Sequence, residues 1–380
     1  MGNSFSSMGR EGAGGRRIAR VGMQMRLSLI SFDLATVVSS TRVVDRRAAS
    51  AGGTPRGSAR GAMQQCPNND RLRRASPHPL IDINSRSSRL APVPREANAA
   101  SWRRRARPLL GTIVEVAACT TDEPAYRRAA DAAFGCVARY HAAMSFHEAG
   151  SDVRAIAAAR RGATLDLAPE TRHVIAAALA LSAQSDGIFD VGVGAELVAR
   201  GRLPMPPVSC PGTAALAAEA LRLEDDGRLT VLRPIWIDLG GIAKGAAVDA
   251  AVAAMGDAGL SIVRVNAGGD LALRGGEPQR IAVRGPDGVL VDAGALADGA
   301  IATSGPYAGS SDQDASALVV RGRRARWVDR AVSVVAPSCL IADALTKVVA
   351  ILGPDAAPLL RRHDAQGFSV DASGRLERVA

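Results

Sequence analysis

The chain changes character near residue 100, and this change limits what it can fold into. Residues 1–100 contain no sustained helical or strand periodicity, and Gly, Ser, Pro and Arg interrupt each short apolar run. Such a segment cannot bury enough apolar surface to offset the chain entropy lost on folding. We therefore predict a disordered leader over residues 1–100 and one folded domain over residues 101–380, a length that a single core can still serve.

The net charge of +10 follows the same division. Residues 1–107 hold 20 Arg and 6 acidic residues, a charge of +14, whereas the remaining 27 basic and 31 acidic residues give −4. The arginines of the leader are scattered among small residues, without the interleaved aromatic side chains that stack on bases. We favour a solvated tail over a nucleic-acid-binding arm, and we expect no nucleic-acid partner.

Cysteine spacing and apolar runs bear on several other classes of protein. The five cysteines are odd in number and never form a CxxC pair, so neither a disulfide framework nor a zinc site is indicated. No apolar run reaches the roughly 20 residues needed to span a bilayer. Residues 27–39 are the best candidate for an export signal, but Asp33 interrupts them, and residues 1–6 fit a myristoylation pattern that short segments match by chance. The residues by themselves assign no compartment.

Regular periodicity begins abruptly at residue 107 and continues through the rest of the chain. Apolar residues at helical spacing and β-branched alternation are mixed without a regular βαβ order, which favours an α+β domain of short strands and helices. The expected helices cover residues 126–144, 170–184, 243–255 and 342–352. The expected strands cover residues 107–116, 229–232, 235–237, 262–265, 271–273, 281–283, 318–320 and 332–335.

The most informative motif covers residues 237–249 and reads as strand, glycine turn and helix. Glycines let the backbone approach a ligand closely, and the amides of a new helix turn point toward an anion. Lys244 falls in the first helical turn, where its ammonium can neutralise a phosphate, and Asp238 at the strand end can accept hydrogen bonds from a base or ribose. A tight turn with a surface lysine is the plainer alternative. Against it, the chain has two lysines and 45 arginines, so lysine is rarely used on its surface.

The second lysine, Lys347, stands beside a possible metal site. Asp343 and Thr346 are three residues apart and share one face of the expected last helix, near its positive end. Two hard oxygens suit Mg²⁺ or Ca²⁺, with water or phosphate completing the shell. An ordinary first-turn Asp with a Thr at the edge of the core is the alternative that spacing alone favours.

Three further glycine-bearing segments could line a nucleotide pocket or be plain turns. They are residues 187–194, 266–270 and 302–305. Phe189, in the first, could pack beside a planar ring or belong to the core.

In this order the segments resemble the flavin transferases of the ApbE family, which move FMN from FAD to a Thr or Ser of an acceptor protein using Mg²⁺. Residues 238–249 match the family pattern DLGGIAKGYAVD except at Ala246, where the family has an aromatic residue. The resemblance covers residues 104–356 and implies an α+β, T-fold-like domain. Supporting segments are residues 110–112, 144–147, 151–152, 187–194, 268–270, 303–305 and 342–345.

The resemblance also implies roles for individual residues. Magnesium is implied to bind the carbonyl of Gly241, the carboxylate of Asp343 and a nearby hydroxyl, for which Thr346 is the closest candidate, and Asp343 and Thr346 are the implied catalytic residues. The residues implied to contact FAD are Leu110, His147, Phe189, Asp190, Asp238, Lys244, Thr303 and Ser316.

Two departures from the family pattern limit the functional expectation. The family places its hydroxyl ligand four residues after the Asp, where this chain has Lys347, and residues 316–321 lack the family histidine. The expected function is Mg²⁺-dependent transfer of FMN from FAD to a Thr or Ser of an acceptor flavoprotein, with release of AMP. The alternatives are an FAD pyrophosphatase that yields FMN and AMP, and a non-catalytic flavin-binding protein. The resemblance suggests the cell envelope as the compartment, and a cytoplasmic location stays open.

Overall fold

The computed structural model of the protein describes residues 100–209, 211, 215–306, 318–319, 325–327 and 329–379. These residues form thirteen strands and eight α-helices, which confirms the predicted α+β class. The strands are β1 (Ser101–Leu109), β2 (Thr112–Thr120), β3 (Thr164–Leu165), β4 (Leu221–Leu223), β5 (Leu229–Val231), β6 (Val263–Ala267), β7 (Asp270–Arg274), β8 (Gln279–Arg284), β9 (Leu290–Leu296), β10 (Gly299–Ser304), β11 (Ala331–Ala336), β12 (Gln366–Val370) and β13 (Leu376–Arg378). The helices are α1 (Glu123–Met144), α2 (Asp152–Ala158), α3 (Pro169–Gln184), α4 (Gly194–Ala199), α5 (Ala217–Ala220), α6 (Ala243–Asp257), α7 (Cys339–Leu352) and α8 (Ala357–Arg362).

An eight-stranded sheet in the order β1-β2-β6-β7-β10-β11-β12-β13 forms the centre of the domain, and each neighbouring pair is antiparallel. Helices α1, α6 and α7 lie side by side on this sheet, α1 on β1 and β2, α6 on β6 and β7, and α7 on β10 and β11. The β8–β9 hairpin packs an apolar cluster against β7, β10, β11 and β12. Strand β11 is buried along its whole length, because elements pack on both of its faces.

The start of the sheet differs from the sequence prediction of one strand over residues 107–116. Leu110 and Gly111 both have positive φ, 54° and 69°, and form a two-residue turn between β1 and β2. Two consecutive positive φ values are what a type I′ hairpin turn requires. Leu110 is a non-glycine residue in a left-handed conformation, which the paired strands on either side hold in place.

The predicted strand over residues 235–237 was also wrong. Ile235, Trp236 and Ile237 are buried, but they join no sheet. The backbone around them bonds instead to the loop before α4, since the Gly194 amide donates to the Trp236 carbonyl at 2.9 Å. These residues are apolar because they are buried, and an apolar run in the sequence does not distinguish a buried loop from a buried strand. Of the predicted strand over residues 318–320, Leu318 and Val319 have no strand structure, and Val320 lies outside the described residues.

Helices α6 and α7 cross at close range, and the crossing is built by small residues and caps. A Cβ added to Gly245 of α6 would lie 2.2 Å from the carbonyl oxygen of Cys339, the first residue of α7. Helix α7 begins at Cys339, three residues before the predicted start at residue 342. Its start is capped by Ser338, whose hydroxyl accepts from the Ile341 amide at 3.3 Å.

The N-terminal part of the prediction concerns residues that are not described. The predicted leader over residues 1–100 lies outside the described residues except for Ala100, so the boundary between leader and domain stays a prediction. No helix in the described part of the chain is long and apolar enough to cross a membrane.

The α6–α7 crossing yields a first testable prediction. Gly245→Ala places a methyl group against the Cys339 backbone, so we expect a loss of about 1–3 kcal/mol in the free energy of unfolding. Gly135→Ala is the matched control, because Gly135 is exposed on α1 with nothing within 4 Å of its added Cβ. The control should gain roughly 0.5–1 kcal/mol from helix propensity. Urea unfolding of the two variants measures both effects, and equal effects would contradict the close crossing.

Candidate functional site

Both lysines of the chain lie in one group of charged side chains, formed by the start of α6, the middle of α7 and strand β7. Lys244 donates to Asp270 of β7 at 2.6 Å, and Lys347 pairs with Asp343 one turn earlier in α7. Asp270 and Asp343 are almost completely removed from solvent, whereas about a third of the Lys244 side chain stays exposed. We call these four residues the four-charge cluster. The sequence motif predicted the position of Lys244 in the first turn of α6, and the structure confirms it.

Burial and the neighbouring charges act in opposite directions on the pKa values of the cluster. Burial raises the pKa of Asp270 to about 6, with a further contribution from nearby Asp343, while the two lysines act in the opposite direction. Burial also acts to raise the pKa of Asp343, but the ammoniums of Lys244 and Lys347 outweigh it and hold that pKa below its usual range. For Lys244, the carboxylates of Asp270 and Asp343 outweigh burial and raise the pKa. Each of the two carboxylates in the cluster therefore has an ammonium partner within the domain.

Lys347 is bound through three oxygen atoms. Its ammonium donates to the Asp343 carboxylate, to the Asp343 carbonyl at 3.0 Å and to the Ser304 hydroxyl at 3.2 Å. Its methylene groups lie against Gly241, where an added Cβ would be 3.3 Å from the Lys347 Cε. The same hypothetical Cβ would be 3.9 Å from the Phe189 ring, so Gly241, Phe189 and Lys347 adjoin one another.

The residues predicted to bind magnesium are engaged with protein donors. Asp343 Oδ1 accepts from Lys347, and Asp343 Oδ2 accepts from the Gly245 amide at 3.2 Å. Thr346 is fully buried, and its hydroxyl donates to the Asp343 carbonyl at 2.6 Å. Among the described residues, no group of three or more His, Cys, Asp or Glu side chains is placed to hold a metal ion. In this arrangement the residues do not fit a magnesium ion, because an ammonium holds the carboxylate oxygen that the ion would need.

The glycine turns predicted to line a pocket meet near the cluster. A Cβ on Gly268 would lie 2.4 Å from the Thr112 hydroxyl, and one on Gly269 would lie 3.7 Å from the Thr303 carbonyl. The turn at residues 268–269, just before Asp270, therefore lies between the first hairpin and β10. Leu110, at the tip of that hairpin, is partly buried beside the same region.

The remaining residues predicted to contact FAD differ in solvent exposure. Phe189 is buried, His147 is exposed, and Thr303 is partly buried with its hydroxyl 2.9 Å from that of Ser333. Asp190 accepts from the Gly192 amide at 2.8 Å and the Ala217 amide at 3.0 Å, so it also organises its own loop. Ser316 lies outside the described residues. The proposed contacts of these residues with FAD stay predictions.

Asp238 lies close enough to the cluster to interact with it electrostatically. Burial raises the pKa of Asp238, while the Gly240 amide and the charges of Lys347 and His147 act to lower it. Its own amide donates to the Val191 carbonyl at 2.8 Å, which fixes the end of residues 235–238 against the 187–194 loop. Asp238 therefore lies near Lys347, and its predicted hydrogen bonds to a base or ribose stay a prediction.

Asp249 belongs to the informative motif, but the sequence analysis gave it no role. Its carboxylate accepts from the amides of Cys339 at 2.8 Å and Leu340 at 2.9 Å, and so it caps α7 from α6. Burial raises its pKa to about 6 although both amide bonds favour the charged form. The signal that could have identified it is one carboxylate in an otherwise Ala- and Val-rich helix segment, which needs a buried partner.

A sequence profile of the ApbE family matches residues 110–370, more than half of the chain. The chain belongs to the ApbE family. It is 28% identical over 221 residues to the FAD:protein FMN transferase of Klebsiella pneumoniae strain 342, an alignment covering 52% of this chain and 63% of that protein. With the FAD:protein FMN transferase of Rhodobacter capsulatus it shares 29% over 223 residues, covering 53% of this chain and 42% of that protein. The chain thus spans less than two thirds of the length of these relatives.

Solved structures of the ApbE family have the same fold. The ApbE protein of Thermotoga maritima superposes with a TM-score of 0.61 at 27% identity, covering 73% of this chain and 97% of that one. The apo flavinyl transferase ApbE of Pseudomonas stutzeri superposes with a TM-score of 0.62 at 22% identity, covering 75% of this chain and 97% of that one. The family resemblance read from the sequence is therefore confirmed.

The Asp249 cap yields a second testable prediction. Asp249→Ala leaves the first two amides of α7 without their acceptor, and we expect the free energy of unfolding to fall by about 2–4 kcal/mol. Asp257→Ala is the matched control, since Asp257 is exposed at the end of the same helix. Its effect should stay within about 0.5 kcal/mol. Denaturant titrations compare the two, and a small loss for Asp249→Ala would show that α7 does not depend on this cap.

Proposed function

We propose that this ApbE-family domain binds FAD at the four-charge cluster and transfers its FMN part to a Ser or Thr of an acceptor protein. The observation that carries the proposal is Lys244. Its ammonium follows the Gly240–Gly241 turn, is charged, and keeps about a third of its side chain in contact with solvent while a buried carboxylate orients it. A pyrophosphate is the part of FAD that such a cation recognises.

The start of α6 adds to the attraction for phosphate. The N-cap residue Ile242 provides no side-chain acceptor, although the Gly245 amide in the first turn donates to the Asp343 carboxylate at 3.2 Å. The positive end of the helix dipole lies beside Lys244. A helix N-terminus that follows a glycine turn commonly binds phosphate. Lys244 and the helix dipole therefore act on the same region. Asp270 holds the Lys244 ammonium in place, so less side-chain conformational entropy is lost when the lysine binds a phosphate.

In the proposed reaction, the acceptor hydroxyl oxygen forms a bond to the phosphorus of the FMN phosphate. The bond from that phosphorus to the bridging oxygen breaks, and the bridging oxygen leaves on AMP with the electron pair. The hydroxyl proton passes to solvent. Such transfers depend on positioning and on stabilising the charge that develops on the phosphate oxygens. Lys244 would supply that stabilisation, and no step of this proposal passes through a magnesium ion.

One observation keeps a second function open. The residue that the family resemblance would make a hydroxyl is Lys347, whose ammonium is bound to Asp343. A site changed in this way could retain FAD but have lost transfer, or could allow water to attack in place of the acceptor. A flavin-binding protein and an FAD pyrophosphatase are therefore the alternatives that an assay must separate.

The third prediction concerns the reaction itself. Incubating the full chain with FAD and a protein extract as the source of acceptor should release AMP and leave a protein band with covalent flavin fluorescence. Chromatography measures the AMP, and a denaturing gel measures the labelled acceptor. AMP without a labelled band would indicate a pyrophosphatase, and intact FAD that binds tightly would indicate a binding protein.

The fourth prediction concerns Lys244. Lys244→Ala should weaken FAD binding by about 1.5–3 kcal/mol, the range of a charge-assisted hydrogen bond, and Lys244→Arg should recover part of the loss. Since Lys244→Ala also leaves Asp270 buried without its partner, the double variant Lys244→Ala/Asp270→Asn is the control. Titration of FAD fluorescence compares all four proteins. An equal loss in the single and double variants would assign it to the ammonium, and unchanged affinities would contradict its role.

A further inference from the structure

Lys347 occupies the position where the sequence predicted a divalent metal. The sequence analysis expected an ion bound to Asp343 and a neighbouring hydroxyl. In the structure the Lys347 ammonium has the Asp343 carboxylate, the Asp343 carbonyl and the Ser304 hydroxyl as its three oxygen partners. These are the hard oxygen atoms that a magnesium ion would seek. The Lys347 side chain thus places a covalently attached positive charge among these oxygen atoms, whereas a metal ion could dissociate.

The charge balance argues against a second cation at the same place. Asp270 and Asp343 are balanced by Lys244 and Lys347. Asp238 is the next acid, and burial raises its pKa although nearby Lys347 acts to lower it. A divalent ion would add two charges to a group in which the carboxylates of Asp270 and Asp343 each already have an ammonium partner, which is costly at low dielectric.

The volume that Lys347 fills and the choice of lysine at this position also argue against a metal ion. The Lys347 methylenes fill the volume beside Gly241, whose carbonyl was the other expected ligand. Lys347 follows Asp343 by four residues, so the two side chains lie on one face of α7. A compact ammonium can donate to three oxygens in different directions, whereas the planar guanidinium of arginine cannot replace it there. In a chain with 45 arginines, the lysine at this position has a structural reason.

We propose that the Lys347 ammonium takes the place of a bound divalent metal, and that this protein binds FAD through two lysine ammoniums without magnesium. Lys244 and Lys347 expose about a third and a quarter of their side chains. Both can therefore reach the phosphates of a bound nucleotide while their carboxylate partners stay buried. The part of the proposal that concerns FAD rests on the proposed function, and the part that concerns the metal does not.

Two measurements on the unmodified full chain test the proposal. Titration with Mn²⁺ alone, followed by electron paramagnetic resonance, should show no bound ion. The dissociation constant for FAD should agree within about twofold between buffers containing Mg²⁺ and EDTA. One bound Mn²⁺ per chain, or FAD affinity at least about tenfold higher with Mg²⁺, would overturn the proposal. If the chain binds no FAD under either condition, the proposed function fails, and the Mn²⁺ titration still decides the metal question.

A variant that restores a hydroxyl provides the positive control. Lys347→Thr releases the Asp343 carboxylate, so we expect it to gain one Mn²⁺ site and to bind FAD at least about tenfold more tightly with Mg²⁺ than with EDTA. The double variant Lys347→Met/Asp343→Asn lacks both charges and should respond to neither ion. A folded Lys347→Thr protein without a Mn²⁺ site would show that the ammonium is not what displaces the metal. If Lys347→Thr does not fold, the measurements on the unmodified chain decide.

Discussion

The arrangement of the site depends on the carboxylate of Asp249. It lies on α6 and accepts the first two amides of α7, and in this way it joins the two helices that carry Lys244, Asp343 and Lys347. Gly245 lets the same helices approach until their backbones nearly touch. Because the cap and the crossing lie within two turns of Lys244, a shift of α7 would move the Lys347–Asp343 pair away from the Lys244–Asp270 pair. The charge chemistry of the site is therefore set by a helix junction.

The four-charge cluster shows how buried charges can be kept in a protein interior. Each ammonium has its own carboxylate, and each carboxylate also lies near the other lysine, so both lysines favour the charged form of the buried acids. An arrangement of this kind contributes little net stability compared with apolar packing. What it provides is a fixed positive charge at a place that a phosphate can reach. Lys244 holds its charge at the start of α6, where the helix dipole is also positive.

Much of this could be predicted from the sequence, and the failures have physical reasons. The motif at residues 237–249 predicted the turn and the position of Lys244 in the first helical turn, because glycine and helix signals are local. The hairpin turn at Leu110 was missed because a left-handed leucine has no local signal. Residues 235–237 have the apolar pattern of a strand because they are buried. The Cys339 amide that Asp249 accepts is 90 residues away in sequence, and the Ser304 hydroxyl that Lys347 contacts is 43 residues away. Contacts of that kind arise from tertiary packing, which one sequence does not display.

The use of lysine has a practical consequence for the chemistry of this protein. Its two ε-amino groups both belong to the four-charge cluster, and the many other basic side chains are guanidiniums. A reagent selective for primary amines therefore has few targets besides the chain terminus and this one site. Amine acylation would remove a charge here without altering the rest of the surface. Amine-reactive reagents would therefore modify this protein mainly at the site where its ligand is proposed to bind.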